Sequence, residues 1–147
     1  MLRVLVVEAD AALTEMMVEL LAREGSAVTV VGSIGEAVSR LDCGDVDMVI
    51  LDADTVPLNP AAGALATWRT WLGACASLPH FVVVGVQAPS ASQFPLPLIP
   101  EKDDQAGGSK VTWLRKPFRN EEFLSTVRPV TERRAGLGSP AARPERR

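Results

Sequence analysis

No apolar run in this 147-residue chain reaches the roughly 18 residues that a bilayer-spanning helix requires. The amino terminus enters an apolar stretch almost at once, without the charged-then-apolar leader or small-residue cleavage site of a secreted protein. Cysteine is scarce as well. Cys43 and Cys75 follow no pattern, so neither a disulfide framework nor a thiolate metal motif is expected. These absences point to a reducing, cytoplasmic setting and no membrane partner. What the chain does hold is enough apolar material for one buried domain: 47% of residues are hydrophobic and 22% charged.

Charge is unevenly spread. Residues 131–147 carry five arginines and two glutamates, a local net of +3, so the first 130 residues carry −6 of the overall −3. An acidic body argues against a nucleic-acid surface. The expected organisation is a domain over 1–130 followed by a basic, disordered tail over 131–147, on composition alone.

Apolar periodicity alternates between strand and helix. Arg3–Val7 reads as a strand. Leu13, Met16, Met17, Leu20 and Leu21 then recur on one helical face, with Asp10 as N-cap and Gly25 as the stop. Ala27–Val31 is a second strand, and Ser33 to Glu36 forms a capping box that opens a short helix to about Leu41. Asp47–Leu51 is apolar after its first residue and is expected to be buried on both faces. Asn59-Pro60 should start a helix running through Trp68 and Trp71, packing residues at helical spacing, to about Leu72. Phe81–Val86 and Val111–Leu114 give the fourth and fifth strands, and Asn120 caps a last helix that Pro129 should end. Between those strands, Pro89, Pro95, Pro97, Pro100 and Gly107-Gly108 argue against a regular helix over most of 87–110. The alternation predicts a doubly wound α/β fold with a five-stranded parallel sheet.

Such sheets bind ligands outside the carboxyl ends of their strands. Here those ends bring Glu8 and Asp10, Asp52, and Lys116 to one crevice, a set suited to a hard divalent cation and a small phosphoryl group. A dinucleotide site is excluded by charge, because Glu8 and Asp10 stand where that fold needs a glycine-rich turn. Gly32-Ser33-Ile34-Gly35 is a weak phosphate-loop signal. His80 reads as structural.

With an acidic cluster after strand one, an aspartate after strand three and Lys116-Pro117-Phe118 after strand five, the chain resembles the receiver (CheY-like) domain of bacterial two-component response regulators over about residues 1–128. The resemblance implies a flavodoxin-like fold with a degenerate or Pro-rich replacement of the fourth helix. It makes Asp52 the phosphoacceptor and Lys116 the cation on a phosphoryl oxygen. It also implies Mg²⁺ held by Glu8, Asp10 and Asp52, and a cis bond before Pro117. Val84, Gly85, Trp113 and Pro117 fall at switch and output positions, although Trp113 reads equally as fixed sheet packing. Expected partners are a histidine kinase or phosphotransfer protein and a downstream target, with a homodimer as a further association. No enzymatic activity is expected beyond self-phosphorylation at Asp52.

The chain departs from that family at several points. Alanine (Ala9) replaces the second adjacent acid, so Asp10 or Asp54 must reach the metal or its affinity falls. No hydroxyl occurs from Phe81 to Pro89. Asp52 to Pro57 is one residue longer than usual, which makes Asp54 a rival acceptor. Three functions therefore compete: a stand-alone receiver phosphorylated on Asp52, a degenerate receiver serving as a phosphorylation-independent adaptor, and a flavodoxin-like ligand-binding enzyme.

Overall fold

The computed structural model describes residues 1–56, 60–75, 78–86 and 111–137. Among these residues five strands form one sheet: β1 (Arg3–Val7), β2 (Ala27–Val31), β3 (Met48–Asp52), β4 (His80–Gly85) and β5 (Val111–Arg115). Their order is β2-β1-β3-β4-β5, and every pairing is parallel. Among the described residues four helices connect or follow them: α1 (Ala11–Arg23), α2 (Ile34–Arg40), α3 (Ala62–Gly73) and α4 (Asn120–Leu137).

The period of two along each strand divides the core. Leu5, Val7, Val49, Leu51, Phe81 and Val83 face α2 and α3, meeting Ile34, Ala37, Trp68, Trp71 and Leu72. Val4, Val6, Met48, Ile50, Val82 and Val84 face the other way, toward Met17, Leu20 and Leu21 of α1 and Phe123, Val127 and Val130 of α4. β3 and β4 are buried at every residue, as central parallel strands require. Trp68 and Trp71 stack at 4.9 Å between centroids, and the Trp71 indole donates to Leu41 O at 2.7 Å, so both are packing residues.

Local chemistry explains the helix ends. Asp10 Oδ1 accepts from Leu13 N at 3.0 Å, and Gly25 stops α1 with φ at +83°, a conformation most side chains avoid. Ser33 Oγ accepts from Glu36 N, while the Glu36 carboxylate returns to Gly32 N–H rather than to the cap residue itself. That bond also occupies one amide of the weak phosphate-loop motif.

Four expectations need correction. Helix α3 starts at Ala62, past Pro60, because its buried anchors Trp68, Trp71 and Leu72 all lie downstream. Asn120 is the first helical residue of α4 and not its cap. The carbonyl of Arg119 accepts from Phe123 N, and the Glu122 carboxylate caps Arg119 N–H at 2.7 Å. Pro129 lies inside α4 instead of ending it. Burial of Phe123, Val127 and Val130 on one face outweighs the lost backbone bond, because propensity is a weak prior beside packing.

The cysteines are the fourth correction. Cys43 and Cys75 are bonded, with Cα atoms 5.3 Å apart. Cys43 sits in a 3₁₀ turn before β3 and Cys75 just past α3, so the bridge lies at the amino ends of the strands. Both belong to the layer where α2 and α3 pack together, a proximity that a separation of 32 residues conceals. The bond removes the cysteine argument for a reducing compartment. The expected Pro-rich replacement of a helix in 87–110 and the last ten residues of the basic tail lie outside the described residues.

Candidate functional site

The carboxyl ends of β1, β3 and β5 bring together three of the residues singled out in the sequence. Asp52 is the last residue of β3, Glu8 follows β1 and Lys116 follows β5. Asp52 and Glu8 are 1% and 4% exposed, so two neighbouring carboxyl groups are both buried. Lys116 Nζ donates to Asp52 Oδ2 at 2.7 Å. Asp52 Oδ1 accepts from Asp54 N at 2.8 Å, which folds the chain into a turn directly after the strand. The Lys116–Pro117 bond is cis.

Glu8 is held from one side. Its Oε2 accepts from Asp10 N at 2.9 Å and from Thr55 Oγ1 at 3.1 Å, while Oε1 is buried with no hydrogen-bond partner among the described residues. Burial, then the neighbouring Asp52 carboxyl group, pushes Glu8 up to about 7. For Asp52 burial acts in the same direction, but the neighbouring Glu8 carboxyl group and the bonds from Lys116 and Asp54 N–H outweigh it and hold the group below the usual carboxylate range. Burial also opposes the Lys116 charge, and its bonds to Asp52 and Asp54 more than offset this, raising its pKa. The pocket therefore holds an ionised Asp52 paired with an ammonium, beside a glutamate that readily keeps its proton.

The remaining candidates are placed as follows. Asp10 is exposed, and its carboxylate caps α1, so it does not join Glu8 and Asp52 in the pocket. Asp54 does reach the site: its Oδ2 lies 3.2 Å from Lys116 Nζ and accepts from Val86 N at 3.2 Å. Val84 pairs with Asp52 across the sheet and is fully buried; its carbonyl accepts from Ala53 N at 2.8 Å. Gly85 O accepts from Lys116 N at 2.8 Å, which tethers the lysine backbone to the end of β4. Trp113 is partly buried against the α2–α3 layer, in the packing position. His80 is buried at the opposite end of β4, bonded to Thr112 Oγ1 at 2.8 Å, a structural contact.

Sequence reasoning missed two groups. Thr55 supplies the only hydroxyl hydrogen-bonded to Glu8 among the described residues, and Val86 supplies a backbone donor. Neither belongs to a strand-end motif. Thr55 stands three residues past Asp52, where only the turn geometry turns it toward β1.

The resemblance implies a magnesium ion, and the pocket fits one in part. Glu8 Oε1 is a buried oxygen without a donor, next to the ionised Asp52, and a cation would satisfy both. Magnesium commonly uses one or two carboxylates and keeps several waters. Ala9 adds no oxygen, and among the described residues no three His, Cys, Asp or Glu side chains are grouped to hold a metal ion.

No family model and no curated protein matches the chain. Solved structures do. Chemotaxis response regulator CheY4 of Vibrio cholerae superposes with a TM-score of 0.61 at 20% identity, over 88% of this chain and 98% of that one. The non-phosphorylated HemR receiver domain of Leptospira biflexa gives 0.61 at 24% identity, over 88% and 94% of the two chains. The receiver domain of sensor histidine kinase PA1611 from Pseudomonas aeruginosa PAO1, with a magnesium ion coordinated in its active-site cleft, gives 0.55 at 20% identity, over 88% and 98%. Identities this low speak to architecture, and function has to be argued from the site. The chain has the CheY-like receiver fold of response regulators.

Proposed function

We propose that the chain is a receiver in a phosphorelay, taking a phosphoryl group on Asp52 and signalling through protein contact. The observation that carries this reading is the buried Asp52 carboxylate held at 2.7 Å by Lys116 at the carboxyl end of the sheet. In the reaction an Asp52 oxygen attacks phosphorus, the bond from phosphorus to the donor's leaving group breaks, and the leaving group departs with its electron pair. The donor is a phosphohistidine of a kinase or phosphotransfer protein, or a small acyl phosphate. Asp52 remains ionised and so nucleophilic, while Lys116 sits where it would neutralise charge on a transferred oxygen. Glu8 and Asp52 would hold magnesium, whose chemistry there is neutralisation of phosphoryl charge. On this reading catalysis extends no further than self-phosphorylation, the setting is cytoplasmic, and the partners are a kinase or phosphotransfer protein and a downstream target.

A second reading, a phosphorylation-independent adaptor, is favoured by one arrangement: alanine at position 9, no side-chain hydroxyl beside Asp52 on β4, and Asp54 already engaged with Lys116. Intact mass after incubation with acetyl phosphate separates the two. The receiver predicts one phosphoryl adduct that needs Mg²⁺ and is lost in Asp52→Asn. The adaptor predicts no adduct under any condition.

A further inference from the structure

Asp54, which the sequence offers as a stand-in metal ligand or a rival acceptor, is engaged differently in the folded site. Its Oδ2 collects two donors, the ammonium of Lys116 and the N–H of Val86, both at 3.2 Å. The same ammonium holds Asp52 Oδ2 at 2.7 Å. A single cation is thus shared by two carboxylates on alternate residues, and a backbone amide past the end of β4 closes on the second. Backbone position enforces this. Asp54 N–H donates to Asp52 Oδ1, so the turn that presents Asp52 also places the Asp54 side chain between β3 and the tip of β4.

An oxygen transferred to Asp52 would need such donors: a cation beside the acceptor and an N–H at the sheet edge. We propose that Asp54 is an internal anion occupying the position that receives the phosphoryl oxygens, so that it throttles phosphoryl uptake at Asp52 and holds the β4 tip in its occupied arrangement when no phosphoryl group is present. The inference rests on the receiver reading and adds a regulatory residue to it. Uptake requires the Asp54 carboxylate to swing outward and release Lys116 and Val86 N–H. Asp54 is part exposed (its side chain at 38%), so water can accept it when it leaves and the block is partial. Its negative charge also repels the incoming anion for as long as it stays.

The test compares wild type with Asp54→Asn, which keeps size and one acceptor but removes the charge, and with Asp54→Ala. Initial phosphoryl uptake from acetyl phosphate with Mg²⁺ is followed by intact mass, and the Val86 amide by ¹⁵N NMR. The expected result is uptake faster by about three- to tenfold in both variants, the scale of one partly exposed charged contact. In wild type the Val86 amide should shift on phosphorylation as Asp54 gives way. Unchanged uptake in the variants overturns the proposal. Slower uptake also overturns it, since Asp54 would then assist, as a metal ligand does. If neither wild type nor variants form an adduct, the receiver reading fails on its own. The Asp54 claim is then decided by titrating inorganic phosphate against the Val86 amide. Tighter binding in Asp54→Asn sustains it, and equal binding overturns it.

Discussion

At the scale of single residues, the pocket is defined by which oxygen has a donor. Each Asp52 oxygen accepts a hydrogen bond, whereas Glu8 keeps one buried oxygen without a partner, and burial and the neighbouring Asp52 carboxyl push Glu8 up to about 7. The folded metal-free protein therefore retains a proton on Glu8 that an unfolded chain releases above its ordinary value of 4.5. The stability contributed by that proton is complete below about 4.5 and is lost as pH rises through about 7. Metal-free melts should fall across this window, by an amount on the order of 3 kcal/mol at most, and Glu8→Gln should flatten the fall. Asp52 acts in the opposite sense, its contribution being lost only as pH drops below the carboxylate range, outside the window. Supplying the missing oxygen is the complementary experiment. Ala9→Asp should raise Mg²⁺ affinity about tenfold or more by calorimetry, because a third carboxylate joins two. Glu8, Asp52 and Lys116 were legible in the sequence because each closes or follows an apolar strand. Thr55 and the Val86 N–H were not, since their roles arise from turn geometry. Asp10 was read both as a helix cap and as a metal ligand, and the structure uses it as the cap.

Among the elements, strand period and helical stripe located the five strands and four helices of the described residues to within a residue or two at most ends, because burial on two faces leaves little freedom of register. The ends that escaped were those where packing overrode a local preference: α3 begins after its proline, and α4 runs through one. The disulfide escaped for a different reason. Its partners meet only once α2 and α3 lie side by side, a tertiary fact that spacing cannot show. The bridge closes a loop containing β3, Asp52 and α3, and cross-linking 32 residues of separation restricts the unfolded chain by roughly 3–4 kcal/mol in the loop-entropy account. Reduction, or Cys75→Ser, should therefore lower the melting temperature by on the order of 10 °C in a calorimeter. A reduced protein that melts with the oxidised one would show that the bridge adds nothing.

For the molecule as a whole, one parallel sheet performs the positioning. Hydrophobic layers on both faces hold the strands, and the strand ends deliver Glu8, Asp52 and Lys116 to one edge while the disulfide secures the other. Among the described residues no helix is long and apolar enough to cross a membrane. The fold matches receiver domains with TM-scores of 0.55 to 0.61 across the three comparisons. The central claim is that Asp52, and not Asp54, receives the phosphoryl group. It is tested most directly by treating the protein with acetyl phosphate and Mg²⁺, reducing with borohydride, and mapping peptides by mass. An aspartyl phosphate is converted to homoserine by that reduction. Homoserine at position 52 alone is the predicted result, and homoserine at position 54, or at neither, would contradict the account.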